Sequence, residues 1–284
     1  MQLYIYGRSG HNFGLENIRR ASALCGLLKD CDPILCSADY RAATFAKEYL
    51  DVDKGVGVDV IGNMPNVMER GDMLIYDDGN EASQTMQEHM QEFCQALYKV
   101  GKDIPFDIVD ERFFDKGDQS IEKAIFFADD DYSEWFLKLL ETGSKKEFPL
   151  LWGHYFFFKN ETKIAEYFSE VLEEEEYIDT VKNTKYLLTA SVHTALESLA
   201  AGNFPVFFKR GDKEVSNFDL IEKYNIPVVE GNDFDELIGN FDKVINDYPE
   251  IKELDKFDIS TVKNEIEEIL KRFETVKPSL EYKF

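Results

Sequence analysis

Basic residues are scarce in this sequence. Its 32 Lys and Arg stand against 56 Asp and Glu, so the formal net charge is 32 − 56 = −24 over 284 residues. Such a chain repels polyanions at long range, which excludes nucleic acid and anionic membrane surfaces as general partners. Cysteine is also sparse: Cys25, Cys31, Cys36 and Cys94 all lie in the first third, and none form a CxxC pair. A zinc site wants tighter ligand spacing, so these thiols are expected to pack as small buried hydrophobes. No run of eighteen or more apolar residues occurs, and no transmembrane helix is expected. The N-terminus lacks a signal-peptide pattern, because Met1 to Tyr6 is followed at once by Gly7 and Arg8. A cytoplasmic location is the default expectation. No short internal repeat is visible.

The remaining composition, 44% hydrophobic and 14% aromatic, argues against disorder. The length suits two modest α/β domains or one large one. Strand and helix patterns alternate throughout. Strands are expected at Leu3 to Tyr6, Pro33 to Cys36, Gly55 to Ile61 and Asp72 to Tyr76. Helices are expected at Leu15 to Lys29, Asp39 to Leu50 and Gln84 to Val100, the last with Met90, Phe93, Leu97 and Val100 on one stripe. Phe106 to Val109 closes this half. The polar stretch Asp115 to Gln119 reads as an interdomain linker. It divides the chain into a Rossmann-like domain at 1–116 and a second domain at 119–284.

In the second half, strands are expected at Lys123 to Phe127, Pro149 to Trp152, Tyr186 to Thr189, Pro205 to Phe208 and Ile226 to Val229. The aromatic run Tyr155 to Phe158 blurs the end of the second of these. Helices are expected at Tyr132 to Leu140, Lys163 to Leu172, Tyr177 to Asn183, Val192 to Ala201 and Phe234 to Val244. A last amphipathic helix carries Val262, Ile266, Ile269, Leu270 and Phe273, with Ser260 as its N-cap. Alternation of this kind implies mostly parallel sheets. Ligands then bind outside the carboxyl ends of the strands.

The most informative unit is 186–208, YLLTASVHTALESLAAGNFPVFF. Its strand ends at Thr189, and Ser191 or Thr189 can cap the helix that follows. Gly202 stands where a helix end wants a left-handed residue, and Pro205 opens the next strand. The small residues Ala195, Ala200 and Ala201 let the helix lie close to a sheet. The first turn exposes backbone N–H groups whose dipole favours an anion. Glu197, one to two turns in, offers a carboxylate that can accept two hydrogen bonds from a ribose diol. A plain βαβ unit with a solvent-facing glutamate fits the spacing equally well.

The pattern T-x-x-E-x-x-A-x-G…P, running from Thr194 through Glu197, Ala200 and Gly202 to Pro205, resembles the nucleotide-sugar site of GT-B glycosyltransferases. The likeness is strongest to the group that holds the peptidoglycan N-acetylglucosaminyl transferase and the UDP-sugar hydrolase of pseudaminic acid synthesis. The resemblance implies two Rossmann-like domains with a cleft between them. It further implies that Ala190 to Thr194, with Ser191 and His193 among them, face a diphosphate, and that Glu197 holds the ribose. One extra residue separates Gly202 from Pro205.

The loop GRSGHNFGLENIRR at 7–20 resembles the first loop of the same families, which carries Gly-Gly-His or Gly-x-Gly-His. Two registers compete. One matches Gly10 and His11 to the Gly-His pair. The other matches Gly14 to Arg20, keeps Ile18 and Arg20, suits the helix better, and puts Asn17 where the hydrolase has its histidine. That register removes an imidazole base and leaves Glu16 as the nearby carboxylate. Gly10 and Gly14 allow close backbone approach to a ligand or simply shape a turn. Arg19 and Arg20 are expected as an anion clamp.

Other candidates sit at strand ends. Asp78 is a possible acid or base, with a turn as the plainer reading. His154 and Arg210 are expected near base or phosphate. Asp129, Asp130 and Asp131 are expected to cap a helix rather than to bind metal, and His89 is expected to be uninvolved. The reading that follows is a metal-independent, GT-B-like glycosyltransferase. It would move a sugar from a UDP-linked donor to an acceptor the sequence does not name, with no cofactor beyond that nucleotide-sugar substrate. Its rivals are a nucleotide-sugar hydrolase or 2-epimerase, and a non-catalytic binding or scaffold protein.

Overall fold

The computed structural model describes residues 1–155 and 160–276, without the side chains of 274–276. Most of the aromatic run at Tyr155 to Phe158 therefore lies outside the described residues. Two compact units form. One holds Met1–Arg8, Ala21–Pro105 and the described part of 257–284; the other holds Ser9–Arg20 and Phe106–Lys256.

The first unit carries a five-stranded parallel sheet of β1 (Leu3–Gly7), β2 (Ile34–Ser37), β3 (Gly55–Gly57), β4 (Met73–Asp77) and β5 (Ala96–Lys99), in the order β3-β2-β1-β4-β5. Every residue of β1 and β4 is buried, as expected of central parallel strands covered on both faces. The connecting helices are α1 (Glu16–Leu27), α2 (Tyr40–Tyr49) and α3 (Gln84–Phe93). Asp39 caps α2 by accepting from the Ala42 N–H, and Ser83 caps α3 by accepting from Met86. All four cysteines are free and buried, and burial pushes the Cys36 thiol up to about 12.

The helix expected to reach Val100 stops at Phe93. Gln95 then gives its N–H to the Asp72 carbonyl, and Ala96 to Lys99 pair with Met73 to Tyr76. The stripe of apolar residues fits a helix and a short edge strand alike, and the ladder offered by β4 decides between them. No regular element covers Phe106 to Val109; a 3-10 turn follows at Glu111–Phe114.

The second unit carries a six-stranded parallel sheet: β6 (Ile121–Phe126), β7 (Leu150–Leu151), β8 (Val171–Leu172), β9 (Thr184–Thr189), β10 (Val206–Phe208) and β11 (Val228–Val229), in the order β11-β10-β9-β6-β7-β8. Its helices are α4 (Trp135–Leu140), α5 (Glu161–Ala165), α6 (Tyr177–Asn183), α7 (Val192–Ala200), α8 (Phe218–Lys223) and α9 (Phe234–Asn246). The helix expected at Lys163 to Leu172 is thus a short α5 followed by an edge strand, and α8 was not foreseen. The core on the α4 and α9 side is aromatic: Phe127 stacks on Phe136 with centroids 4.3 Å apart, and Phe168, Phe208, Phe234 and Phe241 fill the rest. Strand order reverses between β6 and β9, which puts a crevice at their carboxyl ends.

The stretch expected as a linker belongs to the body of this unit. Asp118 donates its N–H to Asn183 Oδ1 at 3.0 Å, and Gln119 reaches Asn203 Oδ1 at 3.0 Å. The chain passes between units at Pro105 and Phe106 instead. The terminal helix α10 (Ser260–Val276) groups with the first unit rather than the second. There Lys263 pairs with Asp30 at 2.6 Å, and Tyr98 donates to Glu265 at 2.9 Å. Its stripe buries Val262 and Ile266 while Phe273 stays exposed. Ser260 is the first helical residue, with its N–H held by Asp258. No described helix is long and apolar enough to cross a membrane.

Gly231 follows β11 where the loop meets the first turn of α9. A Cβ there would lie 2.5 Å from the Leu237 backbone nitrogen. Gly231→Ala is expected to cost about 1–3 kcal/mol, read as a lower urea midpoint with an unchanged slope.

Candidate functional site

The crevice between β6 and β9 is built on one buried ion pair. Asp129, just past β6, accepts from Arg19 through both carboxylate oxygens, at 2.6 and 2.9 Å, and takes the Leu15 N–H at 2.8 Å. Both side chains are almost fully buried, Arg19 at 3% and Asp129 at 2% exposure. Burial raises the carboxyl, but the guanidinium and the Leu15 N–H outweigh it and hold Asp129 below the usual carboxylate range. The segment Ser9–Arg20 is thereby fastened to the second unit.

Gly14 is what lets the backbone come this close. Its φ is +69°, and a Cβ would lie 3.0 Å from Asp129 Oδ2. Gly10, at φ +135°, closes the same turn by accepting the Gly14 N–H at 2.8 Å. Both expected glycines therefore shape the loop.

Arg19 also lies over the Tyr177 ring, 4.0 Å from its centroid. From Tyr177 a chain of oxygens runs into α7. The Tyr177 hydroxyl bonds Glu197 Oε2 and sits 2.7 Å from Thr194 Oγ1. Thr194 Oγ1 is 2.9 Å from Ser191 Oγ, and Ser191 donates to Glu16 Oε1 at 2.6 Å. Burial, with Glu197 beside it, raises the Tyr177 hydroxyl well above its ordinary value, so it serves as a neutral hydrogen-bonding group.

Helix α7 follows the predicted capping in detail. Ser191 is the N-cap and accepts the Thr194 N–H at 3.1 Å. At the other end Gly202, at φ +74°, donates to the Leu199 carbonyl, and Asn203 donates to Ser198, the paired bonds of a Schellman ending. Asn203, one of the two residues between Gly202 and Pro205, is buried and ties down the end of α6 by donating to the Val181 and Lys182 carbonyls.

At the start of α7, the backbone N–H groups of Val192 and His193 have no hydrogen-bond partner among the described residues, although both residues are buried. The His193 ring is fully buried as well. Neither of its nitrogens has a hydrogen-bond partner among the described residues, and Nε2 lies 3.4 Å from Glu197 Oε1. Unanswered buried donors at a helix N-terminus are uncommon and mark a place for an acceptor.

The remaining predicted residues fall as follows. Glu197 is only 1% exposed and bonded to Tyr177, so in this arrangement it braces α7 from within. Arg19 is not a free clamp, since Asp129 holds it. Arg20 is buried and donates to Asn17 Oδ1 at 2.6 Å, which also locks the Asn17 amide. Arg210 is tied to Asp212 at 2.6 Å and to the Asp130 carbonyl at 2.8 Å. Burial raises the Asp212 carboxyl, yet the Arg210 bonds bring it down to about 2. His11 and His154 both meet the Tyr155 ring edge-on, and His154 Nδ1 lies 2.6 Å from Glu174. Asp78, in the first unit, is absorbed by its own turn, accepting from Asn80 and Ala82. Asp131 caps α4 by accepting from Phe136 and Leu137.

Two residues that matter here were missed or misassigned. Asp129 grips Arg19 instead of capping the helix after β6, and its place beyond the end of a switch-point strand is the sequence signal for that role. Tyr177 carries no local signal, because its partners lie far from it in sequence. A cavity of about 890 Å³ also opens on the carboxyl edge, at the ends of β10 and β11, lined by Trp135, Lys209, Asp212, Lys213, Asn232 and Asn240 among others.

No protein-family profile and no curated protein matches the chain in sequence. Solved structures match it in fold. One is the UDP-GlcNAc 2-epimerase of Methanocaldococcus jannaschii in complex with UDP-GlcNAc and UDP: TM-score 0.55, 10% identity, over 96% of this chain and 100% of that one. Another is the spinosyn rhamnosyltransferase SpnG: TM-score 0.51, 7% identity, over 95% of this chain and 96% of that one. The chain has the GT-B-like fold of two Rossmann-like units.

Asp129→Asn tests the anchor. Leaving Arg19 buried without its counter-charge is expected to cost about 3–5 kcal/mol at neutral pH. The folded-state value of Asp129 is depressed, so its stabilisation is present above the ordinary carboxylate value, about 3.9. It is lost as pH falls below that value towards the folded one. Urea midpoints of the wild type and the variant should therefore converge in acid. A gap that stays constant with pH would contradict the assignment.

Proposed function

We propose that this protein binds a nucleotide sugar at the N-terminus of α7 and transfers the sugar to an acceptor. The observation that carries the reading is the pair of unanswered N–H groups of Val192 and His193 at the switch point. Aligned donors at a helix start form an anion site, and open α/β sheets bind their ligands at this place. Of two proteins that share the fold, one is by name a UDP-GlcNAc 2-epimerase seen with UDP-GlcNAc and UDP, and the other a rhamnosyltransferase. That supports a UDP-linked donor.

In this reading the leaving diphosphate of a direct displacement develops charge against these N–H groups, which strengthens their bonds as the sugar departs. Arg19 and Arg210 act by holding loops, because carboxylates already neutralise them. The cavity beyond β10 and β11 is of ligand size.

Isothermal calorimetry with UDP is the primary test, and no binding at millimolar UDP would sink the proposal. Val192→Pro sharpens it. Proline is well tolerated at the first helical position, and Ser191 already has the extended backbone that a residue before proline needs. The substitution removes one donor. UDP binding is expected to weaken roughly tenfold, the value of one charge-assisted bond, while the melting temperature stays close to that of the wild type.

The likeness to an epimerase favours a second reading, hydrolysis or 2-epimerisation at the same site. Proton NMR of a UDP-sugar incubated without acceptor separates the two. Steady sugar release or a C2 epimer supports the second reading, and an unchanged substrate supports transfer. Binding of UDP with neither outcome, across a panel of acceptors, points to a non-catalytic binding protein.

A further inference from the structure

Glu16 stands out at the proposed site. It is the first residue of α1, and its half-buried carboxylate accepts the Ser191 hydroxyl at 2.6 Å. Ser191 is the N-cap of α7. A carboxylate of the chain itself therefore sits on the N-cap hydroxyl of the helix whose Val192 and His193 N–H groups lack partners among the described residues. The contact is charge-assisted and short, the stronger class of hydrogen bond. A negative group at this position is further favoured by the dipole of α7, and by that of α1, whose own first turn Glu16 begins.

The position is held rather than casual. Leu15, the preceding residue, gives its N–H to Asp129, and Arg19, one turn later, grips the same carboxylate. The Leu15 backbone and the Arg19 side chain thus tie the chain before and after Glu16 to Asp129, just past β6.

We infer that Glu16 is a specificity-determining residue: an internal monoanion on the α7 N-terminus that an incoming ligand must displace. This rests on the reading that the ligand's anion binds there. A ligand replaces Glu16 only if its anionic group outcompetes a single carboxylate that has no entropy to lose on arrival. A diphosphate, with more charge and more acceptor oxygens, meets that condition, whereas singly charged carboxylates and neutral nucleosides do not. Glu16 therefore sets a threshold against weak anions and lowers the affinity for the proper one. It does this without being a catalytic base.

The test compares the full-length wild type with Glu16→Gln, which keeps the shape and the Ser191 contact but removes the charge, and with Glu16→Ala as a second variant. Thermal denaturation confirms that each is folded. Calorimetric titration uses UDP, inorganic pyrophosphate and uridine. Both variants are expected to bind UDP and pyrophosphate about tenfold more tightly than the wild type, with no gain for uridine. Equal affinities for UDP in wild type and variants overturn the inference while leaving nucleotide binding intact. Weaker binding in the variants also overturns it, because Glu16 would then be a ligand contact. If UDP fails to bind but pyrophosphate shows the tenfold gain, the inference stands and the nucleotide reading falls. If neither ligand binds any of the three proteins, both fall together.

Discussion

The bidentate contact between Arg19 and Asp129 is the constraint on which the second unit's ligand edge depends. A buried ion pair recovers its desolvation cost only when the remaining hydrogen-bonding capacity is also met. Here the Leu15 N–H supplies a third donor to Asp129, and the Tyr177 ring covers the guanidinium. Each of these completing contacts fixes something further. The Leu15 bond fixes the start of α1, and the ring contact fixes Tyr177, whose hydroxyl then sets Thr194 and Glu197 on α7. The close approach in turn requires Gly14 at positive φ beside the carboxylate. Loop, ion pair and helix start form one mechanical unit.

That unit explains why the acidic residues and the arginines do not play the parts their types suggest. Asp129, Asp130 and Asp131 are consecutive, yet their side chains diverge. Asp129 grips Arg19, Asp130 meets Arg210 and Lys213, and Asp131 caps α4. No set of three or more His, Cys, Asp or Glu among the described residues is grouped as metal ligands would be. Arginine has the pre-organised fork that suits buried pairing with carboxylates. Arg19 and Arg210, both buried, are each met by carboxylates of the chain itself.

How much of this was legible in the sequence follows from the range of each signal. Capping and turn chemistry act over a few residues, so Ser191 and Gly202 marked the ends of α7 correctly, and the alternation of strands and helices gave two parallel sheets. The short edge strands β5 and β8 were read as helix because four apolar residues or fewer fit both periods, and only the neighbouring strand decides. The discontinuity of the units was not legible at all. It depends on Ser9–Arg20 packing on residues more than a hundred positions away, and on a terminal helix that groups with the first sheet's unit. The glycines of the first loop are visible in the sequence, but what Gly14 makes room for, a carboxylate beyond the end of β6, is a tertiary fact.

The net charge of −24 and the dipolar character of the α7 site bear on each other. Monopole fields fall off over about a Debye length, ~8 Å at physiological salt, and this chain's field is repulsive to anions. A helix N-terminus acts only within its first turn. An anion is therefore disfavoured over most of the surface and favoured only at short range, where Arg19 and Arg210 are already paired with carboxylates. On the reading proposed above, a site built from backbone donors, with a carboxylate of its own on the capping serine, suits a compact, multiply charged group better than a polyanion.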